Sequence, residues 1–159
     1  MRAAVKSLVL GGLAWSLAGA NAAVADPYEY DVNVQQAVEA TTGKIIQAFQ
    51  VAAGIPGIPG GYLEQKFALV QGIQDIGLKS QNLGKAARQE EGHELTEEQM
   101  HALAEQVADG ADDVKELAED LKDEADDRDD AATENQAEQI EDLLDDAEEY
   151  AEDAADLLD

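Results

Sequence analysis

The strongest limit on this chain is set by its last 70 residues. From Glu90 to Asp159 there are thirty acidic residues against three basic ones, a net charge of −27, whereas Asp26 to Gln89 carries six acidic against five basic, net −1. So anionic a segment folds only if its apolar residues gather in a stripe that leaves the carboxylates in water. A helix does this when apolar residues recur at steps of three and four. Met100, Leu103, Val107, Gly110, Val114, Leu117 and Leu121 follow those steps, with a glycine where two helices can approach closely. Ile140, Leu144, Ala147, Ala151, Ala154 and Leu158 follow them again, widened by Leu143 and Leu157. Asp112, Glu116, Asp120 and Glu124 are successive i, i+4 like-charge neighbours, and each such pair destabilises a helix by about 0.2–0.5 kcal/mol. A fully buried leucine or valine contributes about 1.5–3 kcal/mol, so the seam prevails if it has a partner surface.

The first half supplies that surface. Val34, Val38, Thr41, Ile45, Phe49 and Ala52 predict a helix over Asp31–Ala53, capped by Asp31 and stopped by Gly54. The tandem Ile-Pro-Gly of residues 54–61 forms a loop, because proline lacks the N–H that a helix interior needs. A second helix is expected from Tyr62 to Arg88. Its Leu63, Phe67, Leu69, Val70, Ile73, Ile76, Leu78 and Leu83 lie on most sides, which predicts a central place in a bundle. Thr96 to Gln99 reads as a capping box, with Leu95 and Met100 as a hydrophobic staple. Thr133 with Gln136 reads as a second box opening the last helix, after a turn in Asp126–Asp130. The expectation is an all-α antiparallel bundle of about four helices over residues 26–159. Residues 31–89 form a near-neutral apolar half and residues 90–159 a very acidic one.

Residues 1–25 read as a secretory signal peptide. Arg2 and Lys6 precede an apolar run from Leu8 to Ala20, and two small-x-small sites follow, Ala20-Asn21-Ala22 and Ala23-Val24-Ala25, with cleavage expected near Ala25. That run is short for a spanning helix, and no later segment is apolar enough, so no transmembrane segment is expected after cleavage. With no cysteine, disulfides and thiolate metal sites are excluded. The charge argues against a nucleic-acid partner, which needs clustered lysine and arginine. Beyond the signal, the chain holds one serine, Ser80, and two histidines, His93 and His101. Ser80 lacks a nucleophile-elbow pattern, and Glu97 stands where a zinc-protease motif opening at His93 would need its second histidine. No catalytic, cofactor or dedicated metal residue is assigned, and a non-enzymatic protein is expected. Asp126, Asp127, Asp129 and Asp130 are candidates for loose divalent-cation binding. Ile55, Ile58 and Tyr62 are candidates for contact with a hydrophobic surface, the alternative being that the isoleucines fold over the bundle end.

Three stretches carry a resemblance to a known family. Asp31-Val32 leads into the first helix; Phe67-Ala68-Leu69-Val70 leads into Leu83-Gly84-Lys85-Ala86-Ala87; and Leu95-Thr96-Glu97-Glu98-Gln99 opens the helix bearing Leu103, Val107, Val114, Leu117 and Leu121. Together they resemble the fungal hydrophobic surface-binding proteins and related cell-wall galactomannoproteins. That resemblance implies a secreted, cysteine-free helical protein that adsorbs to hydrophobic surfaces or lipid, sits in the cell wall, or engages other secreted proteins. The chain has no Asn-x-Ser/Thr sequon, so N-glycosylation is not expected. The alternative function is that of an acidic extracellular protein binding divalent cations or basic partner proteins.

Overall fold

Three of the four helices begin where a side chain accepts the backbone N–H groups that a helix start leaves free; the second, opened by Tyr62, has no such cap. In the computed structural model, which describes residues 26–57 and 60–159, these helices are α1 (Val32–Ala53), α2 (Leu63–Ala87), α3 (Glu97–Asp127) and α4 (Ala131–Leu157). The signal-peptide reading of residues 1–25, and Ile58, lie outside the described residues. Asp31 Oδ1 accepts the Asn33 N–H at 2.8 Å to start α1. At α3 the expected box is complete: Gln99 N–H donates to Thr96 Oγ1 at 3.1 Å, and Thr96 N–H donates to Gln99 Oε1 at 3.0 Å.

The start of α4 corrects the sequence expectation. The cap is Asp130, whose carboxylate accepts both the N–H and the hydroxyl of Thr133, at 3.1 and 2.8 Å. Thr133 is thereby drawn inside the first turn and buried. An aspartate three residues upstream is at least as good a cap as threonine and adds a charge that suits the helix N-terminus. Gln136, freed from a box, donates instead to Gly54 O at 3.4 Å. The turn expected between the acidic helices is present: Asp129 takes φ +56°, and Asp130 N–H donates back to Ala125 O at 2.9 Å.

The helices form a ring in which α1 packs on α2 and α4, and α3 packs on α2 and α4. Residue pairing shows that neighbours are antiparallel. Thr42 meets Ser80 while Tyr28, just before α1, meets Ala87; Lys115 meets Glu148 while Lys122 meets Glu141. One layer is therefore the near-neutral α1–α2 hairpin and the other the acidic α3–α4 hairpin. No helix among the described residues is long and apolar enough to cross a membrane.

The acidic seam is narrower than the sequence suggests. Met100, Val107, Val114 and Leu121 are buried as expected, but Ala104, Ala111, Ala118 and Ala125 fill the alternating places and are fully buried. Leu103 and Leu117 stand on the flank, only partly covered. Alanine lets the two acidic helices approach, so the centre of the stripe moves one residue off the leucines. Close approach recurs between α2 and α3. An added Cβ at Gly72 would lie 2.7 Å from Val114 Cγ2, and one at Gly110 would lie 2.5 Å from Ile76 Cγ2. The sequence reading of Gly110 as a close-approach point is thus met, with Gly72 as its reciprocal partner.

The expectation that the second helix is central fails. Leu69, Ile73, Ile76 and Leu83 of α2 are buried, yet Phe67 is 69 % and Leu78 61 % exposed. A ring of four helices covers only the inward stripe of each member. Phe67 and Leu78 are eleven residues apart, about three turns, and so share one face, roughly opposite the Leu69–Ile73–Ile76 stripe.

Candidate functional site

Two of the three surface-contact candidates belong to the core. Once Gly54 ends α1, the chain turns inward and buries Ile55, which is 1 % exposed; Tyr62, at the start of α2, is 5 % exposed. These burials remove them as an exposed apolar tip and correct that reading. Tyr62 is held by the turn between α3 and α4. The Arg128 guanidinium lies over its ring at 4.8 Å and donates to Gly60 O at 3.2 Å. Burial, reinforced by the Asp130 carboxylate, raises the Tyr62 pKa. The Ile-Pro-Gly loop and the acidic turn are thus clasped at one end of the bundle. The other end is closed by Tyr28, whose hydroxyl donates to Ala87 O at 3.3 Å and accepts the Asp31 N–H at 3.0 Å.

The four cation candidates do not converge. Asp126, Asp127 and Asp129 face solvent, while Asp130 is half-buried and committed to its capping bonds. Those bonds, the Thr133 N–H first and its hydroxyl second, hold the Asp130 pKa below the usual carboxylate value. Among the described residues no group of three or more His, Asp or Glu side chains is arranged to hold a metal ion. Ser80 is fully buried and shares a 2.6 Å hydrogen bond with Thr42. His101 Nδ1 lies 2.9 Å from Ala155 O.

The surface feature that sequence reasoning missed is an apolar flank on the α1–α2 hairpin. The exposed large apolar side chains of the four helices are Val32 and Ile46 on α1, Leu63, Phe67 and Leu78 on α2, and Leu157 on α4. Thr42 and Ile45 of α1 contact Ser80 and Gly77 of α2. At 100° per residue Ile46 then falls on the α2 side of α1 and Leu63 on the α1 side of α2, while Phe67 and Leu78 point outward, away from the core. The polar neighbours of Phe67 and Leu78, three or four residues away on the helix surface, are the amides of Gln71, Gln74, Gln81 and Asn82 and the carboxylates of Glu64 and Asp75. The signal in the sequence was one of phase: Phe67 and Leu78 are out of register with the 4, 3, 4, 3 stepping of Leu69, Ile73, Ile76, Ser80 and Leu83.

Charge is partitioned the same way. Lys44 pairs with Asp146 at 2.8 Å, Lys122 with Glu141 at 3.1 Å, and Lys115 with Glu148, Asp145 and Asp112 at 2.8, 2.9 and 3.4 Å. The cluster of carboxylates, Glu148 first and Asp145 next, holds the Lys115 pKa well above its ordinary value. Lys66, Lys79 and Lys85, all on α2, form no ion pair within 4.0 Å among the described residues. Two shallow, open grooves between α1 and α4, of about 560 and 490 Å³, mix amides and carboxylates with apolar side chains, Gln47, Gln50 and Asp142 with Val51 and Leu143 in one, and Asn33, Gln36 and Asp153 with Ala37, Ala40 and Leu157 in the other. No protein-family model, curated protein or solved structure matches this chain.

Proposed function

We propose that the protein is a secreted, non-enzymatic helical bundle that adsorbs to hydrophobic surfaces or lipid, as its resemblance to the fungal hydrophobic surface-binding and cell-wall proteins implies. The observation that carries this reading is the apolar flank of the α1–α2 hairpin, with Phe67 at 69 % and Leu78 at 61 % exposure. Large apolar side chains left in water along one helix face offer a contact surface. The flank lies on the layer that carries eleven ionised side chains against thirty-three on the other, so bringing it against an oily phase strips water from fewer ionised groups.

Adsorption from solution onto octyl-coated beads tests the reading. The wild-type chain is depleted from the supernatant, and the double substitution Phe67→Gln with Leu78→Gln leaves most of it in solution. These positions are exposed, so the variant keeps its fold, and unchanged far-UV circular dichroism checks this. Full recovery of the wild type in the supernatant refutes the proposal. Secretion is tested in parallel by expressing the chain with and without residues 1–25 and assaying the culture medium.

A further inference from the structure

The two layers of the bundle differ by 26 charges, −1 for residues 26–89 and −27 for residues 90–159, and each layer is one helix thick. We infer that the protein adsorbs in a single orientation, with the α1–α2 flank down and α3–α4 outward, and that the bound layer disperses an apolar phase by giving it a strongly anionic coat. This rests on the adsorption proposed above and adds its geometry and its consequence.

The occupant of the flank is an uncharged apolar phase, and charge is the reason. Against any low-dielectric surface, a carboxylate brought into contact must lose water, which costs several kcal/mol for each ion even after relaxation. On the α3–α4 face carboxylates occupy nearly every outward position, so contact through that face is blocked. The outer face of the α1–α2 hairpin offers Ile46, Leu63, Phe67, Leu78 and a set of amides, with only scattered carboxylates such as Glu64 and Asp75. A second copy of the chain fits the flank less well, since it brings another net charge of −26 to the same place. An uncharged phase brings none. With helix axes about 8–10 Å apart, the outward carboxylates stand more than a helix diameter above the contact plane. That exceeds the Debye length of about 8 Å at physiological ionic strength, so they act on neighbouring particles rather than on the contact itself.

The chain has no cysteine among its residues, so single-site labelling is clean. The test uses the full chain without residues 1–25 and two variants, Gln74→Cys on the flank and Glu116→Cys on the outward face of α3, both exposed positions. Each carries a polarity-sensitive dye and is mixed with hexadecane droplets. The expected result is a blue shift of the dye at position 74 and none at position 116, with droplets more negative in electrophoretic mobility than bare ones. The coated droplets should resist coalescence at about 10 mM salt and coalesce at about 0.5 M, with the protein still bound, because the coat acts through screened charge. Adsorption with equal shifts of both dyes, or with stability indifferent to salt, overturns the oriented coat while leaving adsorption intact. Absence of any adsorption overturns both. A dimer by analytical ultracentrifugation, with the dye at position 74 already shifted before droplets are added, assigns the flank to a second copy and refutes the inference.

Discussion

Adding the same methyl group to two helical glycines should move stability in opposite directions. Replacing glycine by alanine inside a helix removes backbone freedom from the unfolded chain and stabilises by about 1 kcal/mol when nothing else changes. At Gly43, in the middle of α1, an added Cβ meets nothing within 4 Å, so Gly43→Ala should gain nearly that amount. At Gly110 the added Cβ would lie 2.5 Å from Ile76 Cγ2. Ile76 is 3 % exposed and β-branched, so its χ1 cannot swing the methyl aside freely. Overpacking of this kind costs about 1–3 kcal/mol, which exceeds the helix-propensity gain. Gly110→Ala should therefore be net destabilising, by about 1 kcal/mol, and the two variants should differ by about 2 kcal/mol. Urea unfolding followed by far-UV circular dichroism reads the difference. A double-mutant cycle locates its cause: Ile76→Ala alone opens a cavity, but in the Gly110→Ala background it relieves the clash, giving a favourable coupling of about 1 kcal/mol. If Gly110→Ala stabilises as much as Gly43→Ala, the close approach of α2 and α3 at this level is wrong.

Lys115→Met should cost about 1–2 kcal/mol in urea unfolding, because it leaves the largely covered Glu148 carboxylate without its charged donor. The Lys115 pKa is raised in the fold, so its contribution is fully present below the ordinary lysine value of 10.5 and is lost as pH rises through the higher native value. The stability gap between wild type and Lys115→Met should thus stay constant across neutral pH and close only in strong alkali. Asp130→Ala should destabilise the α4 start, with the opposite pH dependence. The Asp130 pKa is lowered in the fold, so its contribution is present above 3.8 and disappears as pH falls through the native value below that. Thermal melts of wild type and variant at neutral pH and in strong acid check this, and a gap that survives in strong acid refutes the charge-assisted cap.

The helices were legible because their signals are local. Asp31, Thr96 and the apolar stepping of each segment act within one or two turns, and all four elements stand within a few residues of their expected bounds. Three features depend on what packs where, which spacing alone leaves open. Thr133 looked like a cap until the carboxylate of Asp130 competed for the same N–H groups. Leu103 and Leu117 looked like the seam of α3 until the alanines one residue later allowed a closer approach to α4. Phe67 and Leu78 looked like core because hydrophobicity was summed around α2, whereas a ring of four helices has room for only one stripe per member. The candidate site is obscured for the same reason: Ile55 and Tyr62 stand out in the sequence as apolar residues in and beside a loop, although the exposed ones are on the helices.

The placement of lysine explains how so anionic a layer holds together. Lys44 from α1 and Lys115 and Lys122 from α3 all end on carboxylates of α4: Asp146, Asp145, Glu148 and Glu141. α4 therefore receives cations from both neighbours, along the two seams where its own acidic flanks would otherwise repel an acidic partner or face bare amides. α2 receives no such help, and it has less need of it. Its seam with α3 is set by Gly72 and Gly110, which bring the backbones near enough for Val114 and Ile76 to pack in dry contact. Its own Lys66, Lys79 and Lys85 are left without ion pairs among the described residues. Electrostatic attachment is thus concentrated on α4 and steric attachment on α2. Added salt screens both the lysine bridges to α4 and the repulsion between its carboxylates and those of α3, and spares the steric seam, so the helix whose footing is indifferent to ionic strength is the one whose outer face carries Phe67 and Leu78.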